Sequence, residues 1–166
     1  MSNSGQEFDR LPADESERDL ERRATRAEVL DWWAERFGVP REAFDGYTFW
    51  EKGKGKIWAF ASDTDSPVGV EGLGMKFLRT RQEHWKPTTN AVQRFGSLAD
   101  ENVLHLARDE AEAFVAGEDQ ELDWDGDWGY LIVTHDLADE REPVGVGLYV
   151  HGELRSQIPK GRRRDL

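Results

Sequence analysis

The chain's four histidines, His84, His105, His135 and His151, never stand three or four residues apart. Two imidazoles on one helix face need that spacing to share a metal, so each histidine reads as a structural or surface residue. Asp123, Asp125 and Asp127 in DWDGDW resemble the start of a calcium loop. Thr134, however, stands where a bidentate glutamate must close such a loop, and the three aspartates read as part of an acidic face. There is no phosphate-cradling G-x-x-x-x-G-K-[ST] run, no G-x-S-x-G, no H-E-x-x-H and no glycine fingerprint between a strand and a helix. There is also no cysteine, which removes thiol nucleophiles, thiolate metal sites and disulfides together. The sequence therefore predicts no catalytic residue, no metal site and no cofactor.

What remains is cationic. Residues 76–94 hold Lys76, Arg79, Arg81, Lys86 and Arg94 against Glu83 alone, with His84 and Trp85 between them. Residues 155–164 hold Arg155, Lys160, Arg162, Arg163 and Arg164 with no acid at all. Basic side chains beside an aromatic ring can hold phosphates and stack a base. The opposing reading makes Trp85 a core residue and leaves the cations solvated. The GKGK turn at 53–56 is open to the same two readings, a phosphate contact or the soluble tip of a hairpin.

These islands stand out because the chain is otherwise acidic. It has 34 Asp and Glu against 22 Lys and Arg, for a formal net charge of -12. Residues 100–140 carry 14 acidic side chains and a single basic one, Arg108. Of the basic residues 16 are Arg and only 6 Lys. An acidic, lysine-poor surface suits a very salty, halophile-like cytoplasm, where mutual repulsion is screened. The N-terminal stretch has no apolar core of a signal peptide, and no apolar run approaches a membrane span, so a cytoplasmic protein is expected.

The elements that must position the islands follow from patterning. Residues 1–23 are polar and densely charged and are expected to be a disordered acidic tail. Thr25-x-x-Glu28 is a capping box; Val29, Trp33 and Phe37 follow at helical spacing, and Gly38 ends the helix. Tyr47–Trp50 and Ile57–Phe60 read as a hairpin, so 24–68 forms a small helix-plus-hairpin region. Residues 69–160 form the main domain and 161–166 a basic tail. Within the domain, Leu73, Met75 and Phe77 alternate along a strand and Pro87-Thr88 opens a short helix. Val103–Leu106 is a strand, and Ala111–Val115 belong to a helix closed by Gly117. The strands 129–136 and 143–150 are joined by the acidic loop DLADERE, and His151-Gly152 turns the chain into ELRSQI. The order predicts an α+β fold with a mixed, mostly antiparallel sheet curled toward a β-barrel and accompanied by short helices.

Several of these segments form an ordered set. Lys86-Pro87-Thr88 precedes a helix ending Phe95-Gly96, and Gly117-Glu118 closes the next helix. Gly129-Tyr130 opens a strand, then Pro143-Val144-Gly145-Val146-Gly147 is followed by Gly152 and by Ile158-Pro159-Lys160-Gly161-Arg162. The stretch from Trp85 to Arg164 resembles the C-terminal PUA-like domain of Sun/Fmu-type RNA cytosine-5 methyltransferases. Val29–Phe60 is similar to the region preceding that domain. The resemblance implies a PUA-like fold and RNA as the partner, with tRNA or ribosomal RNA in modification or ribosome assembly as the context. It does not imply methylation, because that family's catalytic cysteines and cofactor domain have no counterpart here. Leu148-Tyr149 also departs from the family, which tends to place a basic residue there, and so weakens one implied RNA contact. The expected protein is a noncatalytic, freestanding RNA-binding one, with the two basic islands as its binding residues. The alternative is an adaptor for a separate RNA methyltransferase or ribosome-assembly factor, working through its acidic surface and its N-terminal helix.

Overall fold

The computed structural model describes residues 7–20 and 22–162, divided into two units at Thr88/Thr89. The sequence places that division at 68/69. The strands Met75–Arg79 and Lys86–Pro87 are hydrogen-bonded into the first unit's sheet, which moves the boundary downstream.

In the first unit, helix α1 (Arg26–Phe37) starts and stops where the capping chemistry dictates. Glu28 N–H donates to Thr25 Oγ1, and Thr25 N–H donates to Glu28 Oε1, both at 3.0 Å. Gly38 ends the helix at φ 70°. Burial pushes the Glu28 carboxyl up, but bonds from Arg18 and from Thr25 outweigh it and hold the group below the ordinary glutamate range. A carboxylate held low stabilises the fold above its ordinary range, and that contribution is lost as pH falls through its folded value. Glu28→Gln keeps the capping bond and discards the charge. Urea titrations across the acid range should show the variant losing less stability than the native chain as pH falls; parallel losses would contradict this.

Strand β1 (Asp9–Arg10) pairs with β2 (Thr48–Glu51), followed in order by β3 (Lys56–Phe60), β4 (Met75–Arg79) and β5 (Lys86–Pro87), all antiparallel. One face of this sheet packs Phe49 and Phe77 against Trp33 of α1 and against Phe44, all fully or almost fully buried. The other face carries Trp50, covered by Phe8 and Leu73. The expectation of disorder over 1–23 is thus corrected for the described part of that stretch. Phe8 and Leu11 are buried, and Arg23 is only 7 % exposed. The segment is apolar-poor because it supplies only Phe8 to the face over Trp50, Leu73 supplying the rest, while Leu11 N–H bonds Phe49 O. Residues 1–6 and 21 lie outside the described residues.

In the second unit, α2 (Thr89–Phe95) precedes β6 (Val103–His105), α3 (Arg108–Val115) and β7 (Gln120–Glu121). Three longer strands follow: β8 (Gly129–Leu137), β9 (Glu140–Val150) and β10 (Glu153–Ser156). The sheet order is β6-β8-β9-β10-β7, with β6 parallel to β8 and the rest antiparallel. Phe114 of α3 packs with Leu131, Val133, Tyr149, Leu154 and Ile158 in one core. The fold is α+β as expected, but among the described residues no pairing closes either sheet into a barrel. The edge strands β6 and β7 have three and two residues, too few ladder bonds for closure.

Two local expectations are corrected. The helix expected to open at Pro87-Thr88 begins one residue later, at Thr89, because Lys86-Pro87 pairs as an edge strand; proline is tolerated there because an edge strand need not donate every N–H. The acidic loop DLADERE is instead strand almost throughout, turning only at Ala138-Asp139, both at positive φ (52° and 67°).

Candidate nucleic-acid interface

In the first unit the site is built by a bulge. Ile57 faces Leu78 but Trp58 faces Lys76, so β4 contributes one extra residue. Phe77 and Leu78 can then both enter the core while Lys76 and Arg79 both remain exposed. Lys56 lies directly opposite Arg79, and Arg79 directly opposite Lys86. Paired residues share a face, so three cations stand in a row across three strands. Burial, and then the charge of Arg79, hold the Lys86 ammonium below the usual lysine range. Beside the row is a groove of about 500 Å³ lined by Lys52, Lys56, Trp58, Glu71, Lys76 and Arg79, among others. Lys76 Nζ sits 5.7 Å from the Trp58 ring centroid. Lys52 is structural, donating to the carbonyls of Val70 and Glu71 at 2.9 and 3.0 Å.

The turn bearing Lys56 is held from below. Glu51 Oε2 accepts the Gly55 N–H at 3.0 Å, and Gly55 O accepts the Thr80 N–H at 2.9 Å. Gly55 has φ +71°, and a Cβ there would come within 2.8 Å of the Arg81 backbone nitrogen, so only glycine fits. Arg81 and His84 are exposed in the segment leading to β5. Trp85 is half-buried, its ring 6.2 Å from Trp32, which agrees with the core reading rather than a free stacking platform.

In the second unit the structure joins members of the two islands. Arg162 Nη2 donates to Asn90 Oδ1 of α2 at 2.7 Å. Arg94 follows Asn90 by four residues and shares its side of the helix. Lys160 and Arg162 lie in a 3-10 turn and are exposed. The Arg162–Asn90 bond thus places the Lys160–Arg162 turn, which follows the buried Ile158, against α2 on the side that carries Arg94. We refer to Arg94, Lys160 and Arg162 as the basic cluster of this unit. Arg155 is set apart, its Nε donating to Glu153 Oε1 at 2.7 Å. Arg163 and Arg164 lie outside the described residues.

The histidines are partly gathered after all. His105 and His135, on neighbouring strands, stack with centroids 6.2 Å apart. His135 Nδ1–H donates to Leu106 O, and His105 Nε2 lies 3.3 Å from Asp136, so both rings have structural partners. Among the described residues no cluster of three His, Asp or Glu could hold a metal ion. A second-unit cavity of about 650 Å³ is lined by Glu110, Glu121 and Asp123, with His105 and His151. Its carboxylates repel phosphate. Among the described residues no helix is long and apolar enough to cross a membrane.

Sequence reasoning missed Trp58 as a groove residue and left Lys56 undecided within GKGK. The only signal for either is the register across β3 and β4, which the bulge displaces.

Residues 101–164 match the family model described as the methyltransferase RsmF PUA domain. Residues 1–74 match the model of a family of unknown function, DUF7122. No curated protein matches the chain.

Proposed function

We propose, from the PUA-like domain of the Sun/RsmF type at residues 101–164, that this protein is a noncatalytic cytoplasmic RNA-binding protein. Its ligand is tRNA or ribosomal RNA, in RNA modification or ribosome assembly. The family match carries the reading. The Arg94–Lys160–Arg162 cluster supports it by giving an otherwise acidic unit one surface that attracts phosphate. At the salt concentration the composition suits, counterion release adds little to affinity, so hydrogen bonds and shape carry more of the binding. The absence of cysteine and of any local nucleophile, cofactor or metal motif supports the noncatalytic part.

Purified full chain should bind tRNA or a ribosomal RNA fragment in an equilibrium assay. Arg94→Glu/Lys160→Glu/Arg162→Glu should weaken that binding roughly tenfold or more while leaving the circular dichroism spectrum unchanged. Binding of neither RNA, or equal affinity in the variant, would refute the reading. The adaptor alternative draws on Trp128, 55 % exposed beside Asp125 and Asp127 in sequence. It gains if the chain captures one defined protein and no RNA.

A further inference from the structure

We propose that the groove across β3 and β4 of the first unit is a binding site for single-stranded RNA, with Lys56, Arg79 and Lys86 on the phosphates and Trp58 under a base. The site is additional to the PUA-like domain at residues 101–164 and lies in the first unit.

The first argument is charge placed where it is costly. Like charges directly opposite each other weaken a sheet, and here two such pairs are adjacent, Lys56–Arg79 and Arg79–Lys86. The chain has acids to spare and uses them elsewhere. Arg10, Arg18, Arg23, Arg41, Arg108 and Arg155 each hold a carboxylate. Among the described residues no carboxylate pairs with Lys56 or Arg79. Two opposed cations, Lys56 and Arg79, left without a carboxylate in a chain of net charge -12 are explained by an anion that binds there.

The second argument is shape. Neighbouring strands lie about 4.8 Å apart, so Lys56 to Lys86 spans roughly 10 Å, enough for about two neighbouring phosphates of one strand. The row borders the groove, and Trp58 forms part of the groove's lining. Gly72 brings no side chain to the outer edge of that ring; a Cβ there would lie 3.5 Å from Trp58 Cζ3. Phe8 meets the indole perpendicular, 5.2 Å between centroids, and fixes Trp58 from the core side, so a base has only the groove side of the ring. Among the cations described only Lys76 Nζ lies over the indole, and it can swing to a phosphate when a base takes its place. A basic row beside an aromatic ring is the arrangement that holds a strand with unstacked bases. A duplex keeps its bases stacked inside and would leave Trp58 unused.

The test uses the full chain and fluorescence anisotropy with a mixed-sequence RNA of about twelve nucleotides, its duplex, and polyglutamate as competitor. Lys56→Gln/Arg79→Gln should weaken single-strand binding at least about tenfold and reduce the slope of log K against log salt by about 1.4. Its thermal stability should match or exceed that of the native chain, because the substitutions remove repulsion. Gly72→Leu, which covers the ring edge without changing charge, should also weaken binding. Arg94→Glu/Lys160→Glu/Arg162→Glu should leave oligonucleotide binding in place, which separates this site from the PUA-like one. Unchanged affinity in Lys56→Gln/Arg79→Gln overturns the proposal even if that triple variant loses its tRNA or ribosomal RNA binding. Equal or tighter binding of the duplex also overturns it, as does displacement of the RNA by an equimolar amount of polyglutamate.

Discussion

Arg23→Met is expected to destabilise the first unit by about 3–5 kcal/mol, the cost of leaving a buried charge without its partner. Arg23 Nε donates to Glu51 Oε1 at 3.0 Å, and its Nη2 reaches Asp9 Oδ2 at 3.4 Å. Glu51 is only 4 % exposed, so little water can replace the guanidinium. Asp9 and Glu51 are also register partners across β1 and β2, and without Arg23 two carboxylates would face each other. Chemical denaturation followed by tryptophan fluorescence reads this directly, since five of the seven tryptophans lie in that unit. Arg23→Met/Glu51→Leu should recover part of the loss. The remainder, about 1–3 kcal/mol, reflects the buried Gly55 N–H that loses its acceptor. A single variant within about 1 kcal/mol of the native chain would mean that the pair is not buried in solution.

Phe114→Ala should be comparably severe in the second unit, about 3–5 kcal/mol. The ring is fully buried at the centre of its core. It also explains the Gly-Val-Gly of β9. A Cβ on Gly145 would lie 3.2 Å from Phe114 Cε2 and 2.6 Å from Ile158 Cδ1. A Cβ on Gly147 would lie 3.4 Å from Phe114 Cε1 and 2.5 Å from Leu154 Cδ1. The strand backbone thus runs directly beneath the ring. Gly145→Ala alone should cost about 1–3 kcal/mol through overpacking. Combined with Phe114→Ala its cost should shrink, because the cavity receives the methyl and the two sites share a contact. Strict additivity in that cycle, measured by urea denaturation, would contradict the packing.

The features legible in the sequence were those fixed by neighbours in the chain. Thr25, Glu28 and Gly38 specify α1 by capping, and the alternation of glycine and apolar residues specifies β9. The order of the Pro143–Gly147 and Ile158–Arg162 segments pointed to the PUA-like domain that the family match supports. The features that escaped depend on distant partners. Phe8 looks insufficient for structure until Leu73, sixty-five residues on, completes the cover over Trp50. Pro87-Thr88 correctly marks the helix that starts at Thr89, but nothing local shows that Lys86-Pro87 also pairs with Leu78–Arg79 as an edge strand. The basic islands were seen as sequence blocks, whereas the structure sorts them by strand register and by the Asn90–Arg162 bond. Arg94 thereby joins Lys160 and Arg162, while Lys76, Arg79 and Lys86 join Lys56 and Trp58.

The most direct test of the RNA-binding account is crosslinking of the full chain to RNA in cells, with the recovered RNA sequenced. The native chain should recover tRNA or ribosomal RNA fragments, and Arg94→Glu/Lys160→Glu/Arg162→Glu should recover several-fold less. Equal recovery from both chains, or one enriched protein with no RNA, would contradict it.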